Sequence, residues 1–310
     1  MIVKESFNFR RTVPYVRFDL LLAAISATAV YLLVDVAEIS WLALPSLVAT
    51  VLGTALAILL AFRANTAYQR WWEASTIWAQ ITGLSRTLIR VARSLTDAKV
   101  AQGSVASDAV HAWQRDLAVR QAAWAHSLAR QLRQQDATAE LTRLLPADEA
   151  ALVLAADNGP AVLARLQSQA IFRGYAAGIL AGLDNFQLET ALAGLSVQQA
   201  LAERMSATPI PRPHDYLSRM FVHCYVVVFP FATISVVPAH QWLVIPTTLL
   251  IALYFRLIER VGAANEEPFA NRVQDVPITA LAINLERDLL ELIDVPDRPA
   301  KAVPVDGYLW

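Results

Sequence analysis

The sequence predicts an all-α membrane protein with four transmembrane helices per subunit and a large helical domain outside the bilayer. Hydrophobic residues make up 56% of the 310 residues and charged residues only 17%, which is too apolar for an ordinary soluble protein. Four long apolar runs bracket a middle segment that is rich in Ala, Leu, Gln and Arg. Its apolar residues recur at helical spacing and almost none of it favours a strand.

Each apolar run is read as a membrane span. The second contains no charged residue and, at about 1.5 Å per helical residue, easily covers a hydrocarbon core roughly 30 Å thick. The first could be a cleaved signal peptide, but its apolar stretch continues past the small residues that would mark a cleavage site. The last two form a helical hairpin, and the fourth is short for a full span, so it could be tilted, flanked by snorkelling residues such as Arg256, or partly buried in protein. The runs extend from Phe18 to Val36, Ile39 to Phe62, Met220 to Pro238 and Trp242 to Phe255.

The positions of basic residues predict the topology, because Lys and Arg stay on the cytoplasmic side during insertion. The loops between the first two and the last two runs contain no Lys or Arg. We therefore expect a multi-pass protein of the bacterial inner (plasma) membrane, with both termini and the middle segment in the cytoplasm. The basic residues beside the runs are Lys4, Arg10, Arg11, Arg17, Arg63 and Arg70.

These features divide the chain into four expected parts. They are residues 1–62 with the first two spans, the cytoplasmic helical domain 63–218, the last two spans 219–258, and C-terminal cytoplasmic helices and tail 259–310. Asp184 is a candidate helix cap, because its carboxylate can accept from free amides of a first turn. Helix breaks are expected at Gly103-Ser104, Pro146, Asn158-Gly159-Pro160 and the prolines at 209, 211 and 213, and a last amphipathic helix at Leu281 to Leu292.

Composition also argues against several classes of function. The net charge is −1 and there is no basic block, so the sequence lacks the electrostatic footprint of a nucleic-acid binder and we expect no nucleic-acid partner. The single cysteine, Cys224, excludes an intrachain disulfide and any multi-cysteine metal site, and we expect it to be packed. No catalytic constellation or glycine-rich phosphate loop stands out, so the sequence predicts no enzyme, cofactor or metal site.

Three short motifs flank the apolar runs. After the second run, Phe62 to Ala74 reads FRANTAYQRWWEA; taken alone, such Trp, Tyr and Arg residues are ordinary interface anchors. A T-P-I-P stretch at residues 208–211 precedes the third run. N-E-E-P-F at residues 265–269 and Q-D-V-P at residues 274–277 follow the fourth.

In this order, the motifs resemble those of the bestrophin family, specifically its bacterial branch, over nearly the whole chain. The resemblance implies a homopentamer of helical subunits around one axial ion pore. It also implies a channel for small monovalent ions, with anion selectivity typical of animal members and cation conduction known among bacterial ones. The motif residues taken as structural are Arg63, Asn65, Arg70, Trp71, Trp72, Glu73, Pro268, Phe269 and Asp275.

The resemblance assigns a narrow neck to the second run. Thr54, Ile58 and Phe62 recur every four residues and match the three side chains that line the family's neck. A narrow ring of Ile or Phe offers an ion no hydrogen bonds and can close by losing its water, whereas Thr54 makes one end wider or wetter. Ile58 and Phe62 could instead face lipid or a neighbouring helix. Beside them, Gly53, Ala57 and Ala61 would let helices approach closely.

A second constriction is implied at the cytoplasmic exit. Phe186 matches it, with Leu183 and Leu188 as alternatives, and Phe186 could instead be a packed core aromatic. No calcium clasp is expected, because Asp275 is the only acidic residue between Phe269 and Pro277.

Three functions remain open from the sequence. The first is a passive channel and the second is a membrane-anchored helical scaffold that binds partner proteins. The third is a membrane enzyme, which a cluster of polar side chains facing one cavity would support. The partners expected of the channel are membrane lipid, small monovalent ions and further copies of the chain. Selectivity between anions and cations stays open, because apolar neck rings carry no preference of sign.

Overall fold

The computed structural model describes residues 9–208, 212–236 and 238–309, which form ten α-helices. Within these ranges there is no β-strand, only an isolated bridge between Val305 and Tyr308. Short π and 3-10 turns cover Leu32–Val36, Ser40–Leu42 and Pro238–Leu243. The helices are α1 (Phe9–Tyr31), α2 (Ser46–Ala101), α3 (Ser107–Leu132), α4 (Thr138–Leu144), α5 (Ala147–Leu154), α6 (Gly159–Ala176), α7 (Asp184–Ala207), α8 (Arg212–Thr233), α9 (Val244–Asn265) and α10 (Ile278–Glu291).

The described residues divide into two compact units. The membrane unit lies within Glu5–Trp71 and Pro209–Glu267, and the helical unit within Trp72–Thr208 and Pro268–Trp310. Helix α2 belongs to both, because it continues without a break from Ser46 to Ala101. The domain boundary expected at Phe62 therefore falls inside a helix.

The membrane unit confirms the four predicted spans. Helical segments long and apolar enough to cross a bilayer cover Val16–Val36, Ser40–Ala101, Tyr216–Thr233 and Pro238–Asn265. The fourth is not short, since α9 has 22 residues and extends about 33 Å. It needs no unusual tilt to cross a hydrocarbon core of roughly 30 Å.

The core of the membrane unit lies among α1, α2, α8 and α9. Tyr225 stands at its centre, edge-on to Phe255 with ring centroids 5.3 Å apart. Its hydroxyl donates to the carbonyl oxygen of Ala49 at 3.2 Å. A close approach of α8 to α2 is therefore built into this core, whose buried members are Ala23, Leu56, Leu60, Val222, Tyr225, Val226, Ala252 and Phe255.

In the helical unit, α3 is the central element, because it packs against α4, α6, α7 and α10. Its Leu117, Trp124 and Leu128 are buried. Helix α6 begins where the sequence predicts a turn, and the side chain of Asn158 accepts from the Ala161 amide at 3.0 Å. The breaks near Gly103 and Pro146 and the last amphipathic helix are likewise confirmed.

Three local expectations are wrong. Cys224 is exposed on the isolated subunit instead of packed. Arg256 does not snorkel, because its side chain is 8% exposed and pairs with buried carboxylates. Asp184 is the first residue of α7, and its carboxylate accepts from the preceding Ala181 amide at 2.8 Å instead of capping the first turn. The T-P-I-P stretch from residue 209 to 211 lies outside the described residues.

Candidate pore-lining surface

The predicted neck residues form an exposed stripe on α2. With 3.6 residues per turn, steps of four residues rotate by only about 40°, so Thr54, Ile58 and Phe62 stay on one side of the helix. All three are exposed on the isolated subunit, Ile58 to 52% and Phe62 to 70%. The membrane unit therefore presents this stripe outward.

The packed face of α2 lies on the opposite side of the helix. Ala49, Gly53, Leu56 and Leu60 are buried, and their mean direction lies about 180° from the stripe's centre. The predicted small-residue stripe is divided between the two environments, because Gly53 packs against Tyr225 while Ala57 and Ala61 are exposed.

The hydroxyl of Thr54 is satisfied within its own helix. It donates to the carbonyl oxygen of Thr50 at 2.8 Å, and the hydroxyl of Thr50 in turn donates to Ser46 at 3.1 Å. A threonine hydroxyl bonded in this way still has an acceptor lone pair. Thr54 therefore adds polarity to an otherwise apolar stripe without needing another side chain.

Arg63, the second residue of the motif, points away from the stripe. Its Nε donates to Glu266 at 2.8 Å and one terminal nitrogen donates to Glu259 at 3.2 Å. The Arg63 side chain is 8% exposed, so these bonds keep the guanidinium inside the membrane unit. Asn65 is exposed and returns to within about 20° of Thr54 around the helix.

The next motif residues alternate between the surface and intramolecular contacts. Trp71 stacks on Tyr68 with ring centroids 6.3 Å apart in the membrane unit. Arg70 is half-buried and Trp72 is 59% exposed. In the helical unit, Glu73 accepts from Arg204 at 2.7 Å.

The C-terminal motif closes a loop of the helical unit. The amide of Val276 donates to the Pro268 carbonyl oxygen at 3.2 Å, and Phe269 is buried. Asp275 is 1% exposed, and its carboxylate accepts from the Arg272 amide at 2.8 Å. Burial raises the pKa of Asp275 above its ordinary value. These contacts tie Pro268, Phe269 and Asp275 into the fold of the helical unit.

The candidates for the cytoplasmic exit differ in exposure. Phe186 and Leu183 are 61% and 70% exposed, whereas Leu188 is fully buried. Phe186 is therefore not packed in the core of the isolated subunit, and Leu188 cannot line an opening. Asp184 lies between the two exposed side chains in sequence and approaches Lys99 at 3.8 Å.

Sequence reasoning missed a group of buried charges in the membrane unit. Asp19, Arg256 and Glu259 are each under 9% exposed and are joined by ion pairs. From the sequence, Arg256 is considered only as a flank of the fourth apolar run. The signal that could have found them is the occurrence of opposite charges just inside the ends of different spans.

Among the described residues, no group of three or more His, Cys, Asp or Glu side chains could hold a metal ion. His223 instead forms a hydrogen bond with Asp19, with 2.8 Å between its Nε2 and a carboxylate oxygen.

Comparison with known proteins places this geometry in a family. The family profile described as bacterial/fungal bestrophin protein matches residues 7–291. A voltage-dependent anion channel-forming protein of Escherichia coli, YneE, is 30% identical over 260 residues, covering 84% of this chain and 80% of that protein. A voltage-dependent anion channel-forming protein of Mesorhizobium japonicum is 26% identical over 318 residues, covering 100% of this chain and 97% of the relative.

The fold also resembles that of a solved structure. A crystal structure of a bacterial bestrophin homolog from Klebsiella pneumoniae superposes with a TM-score of 0.80 at 26% identity, covering 90% of this chain and 98% of the other. The sequence profile, the relatives and the solved structure agree over most of the chain's length. The chain therefore belongs to the bacterial and fungal bestrophin family.

Proposed function

We propose that this chain is one subunit of a homopentameric channel that passes small monovalent ions across the bacterial inner membrane. The observation that carries this is the exposed Thr54, Ile58 and Phe62 stripe, directly opposite the packed face of α2, in a chain of the bestrophin family. Five copies arranged around an axis would turn the stripe into three stacked rings. Because the relatives' names describe anion channels, anions such as chloride are the favoured ions.

The chemistry of these rings supports a neck that gates by losing water. Rings of Ile58 and Phe62 offer a permeating ion no hydrogen bonds, so a narrow neck empties of water and a slightly wider one conducts. Thr54 keeps its end wetter, because its hydroxyl has acceptor capacity beyond the bond to Thr50. The barrier is therefore centred on Ile58 and Phe62.

In the proposed channel, Phe186 and Leu183 form a second constriction at the cytoplasmic exit. Both are large apolar side chains exposed at the start of α7. The proposed topology keeps both chain termini and the helical unit in the cytoplasm, as the basic residues beside the spans favour. A scaffold function is not favoured, because the chain belongs to a family whose named relatives form channels.

The proposal is tested by reconstituting the purified full-length protein in planar bilayers. We expect single-channel conductance in the wild type. Ile58→Ala and Phe62→Ala should raise unitary conductance or open probability severalfold, because smaller side chains widen and wet the rings.

Leu52→Ala is the matched control. Leu52 is an exposed apolar residue of the same helix, 45% exposed and about 120° from the stripe's centre. Its truncation should leave conduction unchanged. Absence of conductance in the wild type, or equal effects of Leu52→Ala and Phe62→Ala, would contradict the proposal.

A further inference from the structure

We propose that Asn65, followed by Gln69, forms the site at which a permeating monovalent anion regains hydrogen bonds after it leaves the apolar neck. This inference rests on the proposed channel function and extends it by naming the groups that bind the ion. The two side chains belong to α2 within the membrane unit and follow Phe62 by three and seven residues. We name them the amide pair.

The amide pair continues the neck stripe along the same side of α2. At about 100° per residue, Asn65 lies about 20° to one side of the stripe's centre and Gln69 about 20° to the other. Both side chains are exposed on the isolated subunit, as are Thr54, Ile58 and Phe62. In a ring of five subunits that turns the stripe inward, each member of the pair would therefore form a ring of its own.

The charged side chains of this stretch are turned away from the stripe. Between Phe62 and Trp71 the only charged residues are Arg63 and Arg70, which point about 140° and 120° away from the stripe's centre. The Arg63 side chain is 8% exposed and pairs with carboxylates of the membrane unit, and Arg70 is half-buried. The stripe therefore continues past the neck with uncharged polar groups instead of a ring of fixed charge.

A carboxamide suits this position because it is polar without a net charge. Its NH2 group offers two donors, which can replace water molecules that an anion has lost, and its carbonyl oxygen accepts. A neutral donor holds an anion less tightly than a guanidinium does. Conduction requires binding that is favourable enough for entry and weak enough for exit. A ring of carboxamides meets both conditions.

The position of the pair also sets the length of the dry part of the pore. At about 1.5 Å per residue, Asn65 lies about 16 Å along α2 from Thr54, the polar residue at the other end of the neck. Gln69 lies about 6 Å farther on. Without the Asn65 amide, an ion would have to cross this extra length before it meets a polar side chain of the stripe. Asn65 is therefore the residue that ends the apolar barrier.

Thr66 is a neighbouring polar residue that does not share this role. It is exposed, but it lies about 80° from the stripe's centre. Its hydroxyl donates to the carbonyl oxygen of Phe62 at 3.0 Å, so its donor is already used. Thr66 therefore provides a matched control on the same turn of α2.

Unitary chloride currents of the reconstituted full-length protein test the amide pair. We expect Asn65→Leu, which keeps the size of the side chain but removes its donors, to lower unitary conductance about threefold or more, because the dry segment lengthens. Gln69→Leu should have a smaller effect, since the ion has already met Asn65. The double variant Asn65→Leu/Gln69→Leu should conduct least, whereas Asn65→Gln, which keeps an amide, should retain most of the conductance.

The second arm measures reversal potentials with ions that differ in charge or in the cost of losing water. Thiocyanate gives up its water more readily than chloride, so Asn65→Leu should raise the ratio of thiocyanate to chloride permeability about twofold or more. Asn65→Asp replaces the donors by a charged acceptor and should lower the ratio of chloride to potassium permeability about twofold or more. Thr66→Val should leave both ratios at the values of the wild type.

The outcomes separate this inference from the proposed function. A wild type that does not conduct contradicts the channel itself and, with it, the amide pair. A conducting wild type whose conductance and permeability ratios are unchanged in Asn65→Leu, or changed equally by Thr66→Val, contradicts the amide pair but not the proposed neck. Should Asn65→Leu fail to assemble, an Asn65→Asp channel that keeps the wild-type ratio of chloride to potassium permeability overturns the inference.

Discussion

Gly53 shows how a single residue fixes the position of α2, the helix proposed to line the pore. A Cβ built at this position would lie 2.4 Å from the Tyr225 hydroxyl oxygen and 3.0 Å from the ring carbon that bears it. Side chains do not tolerate such distances, so glycine is what allows α8 to approach α2 at this point. The same tyrosine bonds to Ala49, one turn earlier. The direction in which the neck stripe points therefore depends on this contact.

We predict that Gly53→Ala destabilises the protein by about 1–3 kcal/mol, since overpacking outweighs the better helix propensity of alanine. Thermal unfolding of the detergent-solubilised protein measures the effect. Gly83→Ala, on the same helix, is the control, because no atom lies within 4 Å of its added Cβ. It should be neutral or slightly stabilising. Adding Tyr225→Phe to Gly53→Ala should recover part of the loss; no recovery would contradict the hydroxyl clash.

At the scale of elements, α10 is held against α3 and α4 by one buried carboxylate. Glu286 on α10 accepts two bonds from Arg143 at 2.7 and 2.8 Å and lies 2.7 Å from Nε2 of His126. Its side chain is 1% exposed. Burial alone would raise the pKa of Glu286, but the bonds from Arg143 and His126 outweigh it and lower the pKa to about 2.

This shift predicts a defined loss of stability in acid. The folded pKa of Glu286 is below the ordinary value of 4.5, so its contribution is complete above about pH 4.5 and is lost as pH falls towards 2. Its size is about 3 kcal/mol. Glu286→Gln should lower the free energy of unfolding at pH 7. It should also remove much of the decrease in that free energy between about pH 4.5 and 2, as measured by denaturant unfolding across pH. Asp148→Asn, which changes an exposed carboxylate, is the control. Its free energy of unfolding should fall in acid as that of the wild type does.

At the scale of the whole molecule, an ion in the proposed channel has to pass two constrictions in series. We predict that Phe186→Ala raises unitary conductance without lowering the unfolding temperature, because the side chain is 61% exposed and supports little of the subunit's packing. Bilayer recordings and thermal melts of the same preparation test both parts.

Leu188→Ala is the comparison, since Leu188 is fully buried on the same helix. Its truncation should cost about 2–5 kcal/mol of stability. A Phe186→Ala protein that melts early with unchanged conductance would assign Phe186 to packing instead of the exit.

Native mass determination tests the pentamer expected of the assembly. Five subunits of 34.1 kDa should account for the mass of the detergent-solubilised complex after subtraction of bound lipid and detergent. A monomeric or dimeric complex that still conducts would contradict an axial pore built from five copies of α2.

The sequence by itself determined the spans, the helical class and the family. Long uncharged runs can only be satisfied in a bilayer as helices, because their backbone groups must bond internally. The breaks at Gly103, Pro146 and Asn158 followed from local backbone chemistry, as did the position of α10. The four-residue spacing of Thr54, Ile58 and Phe62 placed them on one face, but not on a particular side of the subunit.

Only the tertiary structure decided which faces are packed and which charges meet. Periodicity gives a residue's direction around its own helix, whereas burial depends on neighbours that are distant in sequence. Asp19 and His223 are separated by 204 positions and Arg63 and Glu259 by 196, so no local pattern could pair them. For the same physical reason, only the packed helices show that Leu188 is buried whereas Phe186 is exposed. The burial of Arg256 likewise becomes visible only there.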